Sequence, residues 1–590
     1  MLHGSDRLTS EHDTLAAQAS LPWHRRRFGG VPLMVLAGVC AVIALLWFGT
    51  LGIRHLIGPD EGRYAEIARE MFVSGDWVTI RYNALKYFEK PPFHMWVTAL
   101  SYVLFGIGDW QARLCVALAG AIGLLASMLA AHRWFGARAA LLTGLVMVAA
   151  PMWSVAAHFN TLDMTLSGAM ACVLAFMLLA QHPDATPAAR RNWMLACWLA
   201  MGVAILTKGL VGMALPGLVL VIYTLVTRDL GLWRRLHLAS GIALMLLVAV
   251  PWFWLVSERN PEFLRFFFIH EHWERYTSNV HSRKGPLLYF VPLVLGGFLP
   301  WLGLVPRMWR AVRERAGVTS GMAASAPRPF QPALLAAIWA VAIFVFFSLS
   351  HSKLPGYILP VFPALGILGG VALDAITERS WRRQLVAGLA IGVIGLLASP
   401  IVATLNSNNT PNALYRAYAV WAAVAFALMI ASTLVARWLL PRRGLMASIT
   451  VYAVGMCTAF TAALLGHEVI GRSASGIDMI APVARVLRPD MKLYSVRVLD
   501  HTLPFYLRHT LVMVDRPDEL EFGVTQEPQK WQPTTAAFLA AWQDGQPAMA
   551  IMSPHTFAEL SQRAPMHVVA RDWRRVAVAN FAVSAPAQQR

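Results

Sequence analysis

The stretch Asp60 to Met71, DEGRYAEIAREM, follows directly on an apolar run that starts near residue 31 and reads as a membrane span. Two adjacent carboxylates and an arginine at the edge of a bilayer need a reason. The apolar positions Tyr64, Ile67, Ala68, Met71 and Phe72 recur at i, i+3, i+4, i+7 and i+8, the period of a helix that lays one stripe into the interface and turns its charges to water. An amphipathic surface helix is therefore expected, opened by Asp60, with Gly62 loosening its start. In its plainest role Asp60 caps that helix, because a carboxylate there satisfies free backbone N–H groups and the helix dipole.

The chain around this stretch has a membrane composition. Of its 590 residues, 57% are hydrophobic and 14% charged, well below the roughly 25% charged of soluble domains. The formal charge of +18 comes almost wholly from arginine. Cationic loops beside spans account for it, and without a basic-aromatic motif no nucleic-acid partner is expected. Cys40, Cys115, Cys172, Cys197 and Cys457 all lie inside apolar runs, where disulfides are not expected. Residues 1–30 read as an uncleaved cytoplasmic tail, since Arg25, Arg26 and Arg27 precede a span too long for a signal-peptide core.

Apolar stretches of about 17 to 25 residues, enough to cross roughly 30 Å of hydrocarbon, start near positions 31, 112, 138, 162, 192, 210, 236, 287, 331, 357, 384, 414 and 445. These make thirteen expected spans. The segment Phe93 to Ile107 is shorter and opens on Pro91-Pro92, so hydropathy leaves it open. Charge parity decides. With the N-terminus inside and 93–107 not crossing, the cytoplasmic turns hold Arg133 and Arg138, Arg190 and Arg191, Arg228 with Arg234 and Arg235, the run Arg307 to Arg315, Arg379 with Arg382 and Arg383, and Arg437 with Arg442 and Arg443. Each is arginine-rich, as the positive-inside rule requires. The expected fold is thus an all-α polytopic membrane protein of about 13 transmembrane helices, with amphipathic helices in the outer leaflet. The membrane domain is read as 31–466, with outer loops at about 52–111 and 257–286, and a flexible inner connection at 318–332. Beyond residue 467, runs at Lys492 to Val498, Leu511 to Val514, Ala548 to Met552 and His567 to Val578 alternate with helical ones, which predicts a small outer α/β domain over 467–590.

The ionisable residues gather at one membrane edge. Five of only seven lysines, Lys86, Lys90, Lys208, Lys284 and Lys353, fall on the outer side together with Arg63, Arg81, Arg275 and Arg283. Cations beside apolar surface fit an anionic amphiphile such as a lipid phosphate; solvated loop charge is the plainer account. Asp163, in HFNTLDMTLS, is an isolated carboxylate at the outer end of a span, where burial near hydrocarbon costs roughly 2.5–3.5 kcal/mol; capping of the next span by Thr161 or Asp163 is its plainer role. YFEKPPFHMW sets Glu89 and Lys90 against a rigid Pro-Pro, FFFIHEHWERY places His270, Glu271, His272 and Arg275 in the largest outer loop, and HSKLPGYILP brackets a turn with Lys353 and Tyr357. Glu89, His270 and His272 could together hold zinc, although HEHWE lacks the HExxH spacing. No P-loop, GxSxG or dinucleotide pattern supports nucleotide or serine-hydrolase chemistry.

In this order the motifs PDEGRYAEIAREMFVSGDW, YFEKPP, the aspartate at 163, LTKG at 206–209, EHWERY and SKLPGYILP resemble those of the lipid A aminoarabinose transferases, a family of GT-C membrane glycosyltransferases. The likeness runs from about residue 31 to 370; beyond that only the layout matches. It implies transfer of 4-amino-4-deoxy-L-arabinose from undecaprenyl phosphate to lipid A phosphates at the periplasmic face of the bacterial inner membrane, giving resistance to polymyxin and cationic peptides. It also implies Asp60 and Asp163 as the acidic catalytic residues; beside it, the reading of the residues themselves gives Arg63, Tyr64, Lys86, Glu89, Lys90, Lys208, Arg275, Lys353 and Tyr357 as substrate-binding candidates.

A lipid-linked sugar phosphate already carries its leaving group, so no cofactor is required; cations take up phosphate charge as the glycosidic bond breaks. Lys90, Arg275 and Lys353 with Tyr357 are the candidates. A phosphate acceptor is largely ionised near neutrality and needs no strong base, which leaves Asp60 to orient acceptor or sugar amine, to stabilise positive charge at the anomeric carbon, or to accept a residual proton. Asp163 pairs with a nearby cation or the amine. A single inverting displacement by a monomer is expected. The competing readings are a GT-C transferase moving another polyprenyl-linked sugar, hexosamine or mannose, to lipid A or protein; a lipid flippase or transporter, which would place ionisable or broken-helix positions near mid-bilayer; and a non-catalytic envelope scaffold.

Overall fold

The computed structural model describes residues 27–274, 285–317 and 329–583, the side chains at 270–274 and 315–317 excepted. It is a polytopic helical membrane protein that ends in a sheet domain. Every expected span start carries a helix: Leu33–Phe48, Asp109–Phe135, Ala137–Val148, Leu162–Ala180, Pro187–Lys208, Val211–Thr227, Leu238–Arg259, Phe290–Gly297, Pro332–Leu349, Pro355–Asp374, Glu378–Val402 and the 64-residue Asn412–Ser475, whose backbone leaves helical geometry at Gly444 and so joins two expected spans. Among the described residues seven helices are long and apolar enough to cross a membrane, or eight if the pair Phe290–Gly297 and Leu299–Glu314 counts as one. That pair is bent by 85°, beside Pro300, which cannot donate a backbone hydrogen bond. Proline also interrupts the third stretch, where Ala137–Val148 stops and Pro151–Ala156 starts afresh.

Burial orders these helices. In Leu162–Ala180 and Pro355–Asp374, 83% of the apolar window is enclosed by protein, against 22% in Glu378–Val402. The first two are the interior of the bundle, and the last presents its apolar surface outward, as a lipid-facing helix must. The interior helices begin with Asp163 and with the turn that carries Tyr357, so the most firmly packed elements hold candidate site residues.

The helix Asp60–Ser74 forms as the period predicts, but its charges do not face water. Glu61, Gly62, Arg63, Glu66 and Arg69 are buried along with Tyr64, Ile67, Ala68 and Met71 of its apolar stripe, while Phe72 is exposed. Each charge is answered: Glu61 by Arg113 at 2.7 Å, Arg63 by Glu519 at 2.6 Å, Arg69 by Glu66 at 2.6 Å, while Glu70 accepts from the Ala84 amide at 2.9 Å. The reason is tertiary: the C-terminal domain covers the face that was expected to be wet. Gly62 serves this approach rather than loosening the helix, because a Cβ there would lie 2.3 Å from the His501 carbonyl oxygen. The helix Phe93–Phe105, about 20 Å long at 1.5 Å per residue, buries His94, Met95, Thr98 and Tyr102 and exposes Leu100, Val103, Leu104 and Phe105.

The sheet domain follows the long helix from Ile477. Its strands are β1 Lys492–Val496, β2 Val512–Val514, β3 Ala548–Met552, β4 His567–Arg571 and β5 Val576–Ala579, in the order β2-β1-β3-β5-β4. β1 runs parallel to β2 and β3, whereas β5 is antiparallel to β3 and β4. The run His567 to Val578, read as one strand, is a hairpin: Asp572 accepts from the amides of Arg574 and Arg575 at 2.7 and 2.6 Å and turns the chain. The domain is fastened to the first loop by paired bonds between Asn83 and Leu511 at 2.6 and 2.5 Å and by Tyr506, which donates to Asp109 at 2.6 Å.

Candidate active site

Asp60 is the first residue of its helix, after the N-cap position Pro59, which offers no side-chain cap. Its carboxylate, 41% exposed, lies 3.5 Å from Arg63, whose side chain is only 6% exposed. Arg63 is held from the other side by Glu519, so one guanidinium joins the first loop, the C-terminal domain and Asp60. Burial alone would lower the pKa of Arg63, but the carboxylates of Glu519 and Asp60, with Tyr87 and Tyr64 close by, hold it well above its usual value. It is a permanent cation.

The second acidic residue, Asp163, lies in the first turn of the helix Leu162–Ala180, whose N-cap Thr161 makes no side-chain cap hydrogen bond. It is turned sideways to Lys208, the last residue of the helix Pro187–Lys208, and the two form an ion pair in which both side chains are largely buried. The ammonium also lies over the Tyr357 ring, 4.4 Å from its centroid, an attractive cation–π geometry. The turn Pro355–Val361 approaches so closely that a Cβ on Gly356 would sit 2.5 Å from Asp163 Oδ2. Replacing Gly356 by alanine is therefore expected to push the Asp163 carboxylate off Lys208, to cost about 1–3 kcal/mol by overpacking and to reduce turnover; thermal unfolding and product formation measured side by side will check it.

Tyr64 follows Arg63 in the helix Asp60–Ser74. It is buried, and its ring packs edge-on against His94 with centroids 5.5 Å apart. Burial first, then the charges of Asp60, Glu89 and Asp163, push its phenol well above the usual range, against the opposing pull of Arg63. Burial first, then Glu89, Tyr64 and Glu519, likewise push the Tyr87 phenol well above its usual range, against the pull of Arg63. Two contact groups are thus built: Asp60, Arg63 and Glu519 in one, and Asp163, Lys208 and Tyr357 in the other.

The remaining predicted residues divide. Glu89 and Lys90 are close to one another, Lys90 Nζ 3.9 Å from the Glu89 carboxylate and 2.8 Å from its carbonyl oxygen. Lys86 pairs with Glu262 at 2.6 Å and so ties the first loop to the second. Lys353 is buried and donates to the carbonyls of Ser348 and Pro286 at 2.8 and 2.9 Å, a clamp on the end of the large loop. The side chains of His270, His272 and Arg275 lie outside the described residues; among those described, no group of three His, Cys, Asp or Glu converges on a metal position. Sequence reasoning missed Glu519. Burial, then the nearby carboxylates of Glu89, Asp518 and Asp60, push its carboxyl up to about 7 against the pull of Arg63. No periodicity or spacing in its surroundings could have pointed to it, because Arg63, the cation it holds, is more than 400 positions away in the chain.

Comparison with known proteins places this arrangement. The family description of the aminoarabinose transferase C-terminal domain matches residues 479–580, and that of dolichyl-phosphate-mannose-protein mannosyltransferases matches 89–254. The undecaprenyl phosphate-α-4-amino-4-deoxy-L-arabinose arabinosyl transferase of Erwinia tasmaniensis is 32% identical over 370 residues, 61% of this chain and 63% of that protein. The second such transferase of Sodalis glossinidius is 30% identical over 431 residues, 68% of this chain and 73% of the relative. The chain spans 60% to 63% of the length of the first curated relatives it matches. Among solved structures, ArnT from Cupriavidus metallidurans bound to undecaprenyl phosphate superposes with a TM-score of 0.89 at 64% identity, covering 94% of this chain and 99% of that one. Its apo form matches at 63% identity with the same TM-score. With that agreement along nearly the whole of both chains, this protein belongs to the family of undecaprenyl phosphate-aminoarabinose arabinosyl transferases.

Proposed function

We propose that this chain transfers 4-amino-4-deoxy-L-arabinose from undecaprenyl phosphate to a phosphate of lipid A, at the periplasmic face of the bacterial inner membrane. The observation that carries the reading is the pair of contact groups at the two aspartates, Asp60 with Arg63 and Glu519, and Asp163 with Lys208 and Tyr357, together with the family to which the chain belongs. In the reaction the bond between the anomeric carbon and the donor phosphate oxygen breaks, a bond from that carbon to an acceptor phosphate oxygen forms, and undecaprenyl phosphate leaves. Lys90, beside Glu89, and Arg275 take up charge on the departing phosphate. Asp60, the more exposed of the two aspartates, faces the acceptor and stabilises positive charge at the anomeric carbon. Asp163, already neutralised by Lys208, orients the sugar rather than attacking it, which favours one inverting displacement. The same cations and carboxylates recognise a zwitterionic amino sugar phosphate better than a neutral hexose.

The test is incubation of the purified chain with labelled undecaprenyl-phosphate-aminoarabinose and lipid A, followed by mass analysis of the lipid. The expected product is lipid A heavier by one aminoarabinose. Transfer of a hexosamine or mannose in preference, or movement of the donor between leaflets with every sugar bond intact, would overturn the reading.

A further inference from the structure

A directed chain of hydrogen bonds crosses the buried ground between the helices that carry Asp60 and Asp163. Glu61, next to Asp60, accepts from the Asn160 amide at 3.1 Å, and its carbonyl oxygen accepts from Asn160 Nδ2 at 3.3 Å. Asn160 Oδ1 is 2.9 Å from His94 Nε2, and His94 Nδ1 is 2.8 Å from Thr165 Oγ1. Asn160 precedes Asp163 by three residues and Thr165 follows it by two. Glu61, His94, Asn160 and Thr165 are all buried.

The partners fix the direction of every bond. Asn160 donates through Nδ2, so its Oδ1 is the acceptor and His94 Nε2 must carry the hydrogen. Nδ1 is then bare and accepts from the Thr165 hydroxyl. Burial pushes His94 down to about 4, which keeps the imidazole neutral and this tautomer possible. Donation therefore runs one way, from Thr165 to His94 to Asn160 to Glu61. The same His94 ring is packed against Tyr64.

We propose that Asn160, His94 and Thr165 are positioning residues of the transfer reaction, their hydrogen-bond chain setting the separation and orientation of Asp60 and Asp163. The proposal rests on the transferase reading above. The N-cap positions Pro59 and Thr161 make no side-chain cap hydrogen bond, and among the described residues Asp60 is held by a 3.5 Å approach to Arg63. Apolar packing brings the two helices together without selecting one register, whereas directed bonds select it. A productive site needs its groups placed within about 0.5 Å, and a misplacement of about 1 Å can cost about 100-fold in rate.

The test uses the full-length chain in lipid nanodiscs with undecaprenyl-phosphate-aminoarabinose as donor and lipid A as acceptor. Thr165→Val keeps the shape and removes the hydroxyl; Thr165→Ser keeps the hydroxyl. The expected result is a fall in kcat of about tenfold or more for Thr165→Val, with KM for the donor and the thermal midpoint close to those of wild type, and recovery of kcat in Thr165→Ser. Should Thr165→Val fail to accumulate, His94→Gln, which keeps one donor and one acceptor, is compared with His94→Leu, and only the former is expected to retain turnover. Unchanged kcat in Thr165→Val, or a loss that follows the thermal midpoint and is not rescued by serine, overturns the positioning role while the transferase reading stands. A wild-type chain that forms no product overturns both.

Discussion

Asp60→Asn is expected to lower aminoarabinose transfer by about 100- to 10,000-fold, the range for a group that stabilises charge or moves a proton in the transition state, while leaving the fold intact. The carboxylate is 41% exposed and, among the described residues, approaches the Arg63 guanidinium at 3.5 Å, a pair that contributes little to stability in water. Arg63, its neighbour, keeps Glu519 at 2.6 Å when Asp60 loses its charge. Activity and stability should therefore separate at this position: initial rates with labelled donor collapse, and thermal unfolding in detergent stays within a degree or two of wild type. An Asp60→Asn chain that turns over normally would mean that the exposed aspartate is only the first residue of a surface helix. The acidic partner would then have to be sought in Asp163 or Glu519.

One residue away the expectation inverts. Arg113 is fully buried and uses every N–H of its guanidinium: Nε and Nη2 donate to Glu61 at 2.7 and 3.1 Å, and the remaining hydrogens reach the carbonyls of Leu51, Arg54 and His55 at 2.9, 2.5 and 2.9 Å. Glu61 in turn accepts from the Ile57 and Asn160 amides. Arg113→Lys offers three donors on a point charge where five in a planar fork are used. Arg113→Met leaves a buried carboxylate unpaired and is expected to destabilise by about 3–5 kcal/mol, enough to remove most folded protein. The double replacement Arg113→Met with Glu61→Leu should recover much of that loss, because removing both charges abolishes the desolvation penalty of each. Burial raises the carboxyl pKa of Glu61, but the Arg113 and Arg54 guanidiniums outweigh it and hold the group below the usual carboxylate range. With the folded pKa depressed, the pair's contribution is fully present above the unfolded value of about 4.3 and is lost as pH falls through the lower folded value. Unfolding midpoints measured between neutral pH and pH 3 should drop steeply only at the acid end, and less in the double variant. A midpoint for Arg113→Met equal to that of wild type would show that the pair is dispensable.

Together these two outcomes distinguish neighbours that look alike in the sequence. Asp60 and Glu61 are adjacent carboxylates, and the helical period alone assigns neither to solvent nor to core. Lys86, Lys208 and Lys353 likewise look equivalent as isolated cations at one membrane edge. In the fold, Lys208 faces Asp163 and Tyr357, whereas Lys86 ties two loops together and Lys353 clamps two carbonyls.

The sequence by itself determined where the helices start, because a stretch that must bury its backbone in hydrocarbon has to be apolar over a fixed length, and composition records that requirement residue by residue. It singled out the two aspartates as candidates as well, since a carboxylate at the end of an apolar run is costly there and calls for a partner. Only the tertiary structure decided what covers the polar face of Asp60–Ser74. His501 and Glu519, more than 400 positions away, meet that helix at Gly62 and Arg63. Periodicity reports which side of a helix is apolar; it carries no information on whether the other side meets water or a second, equally charged surface of the same chain.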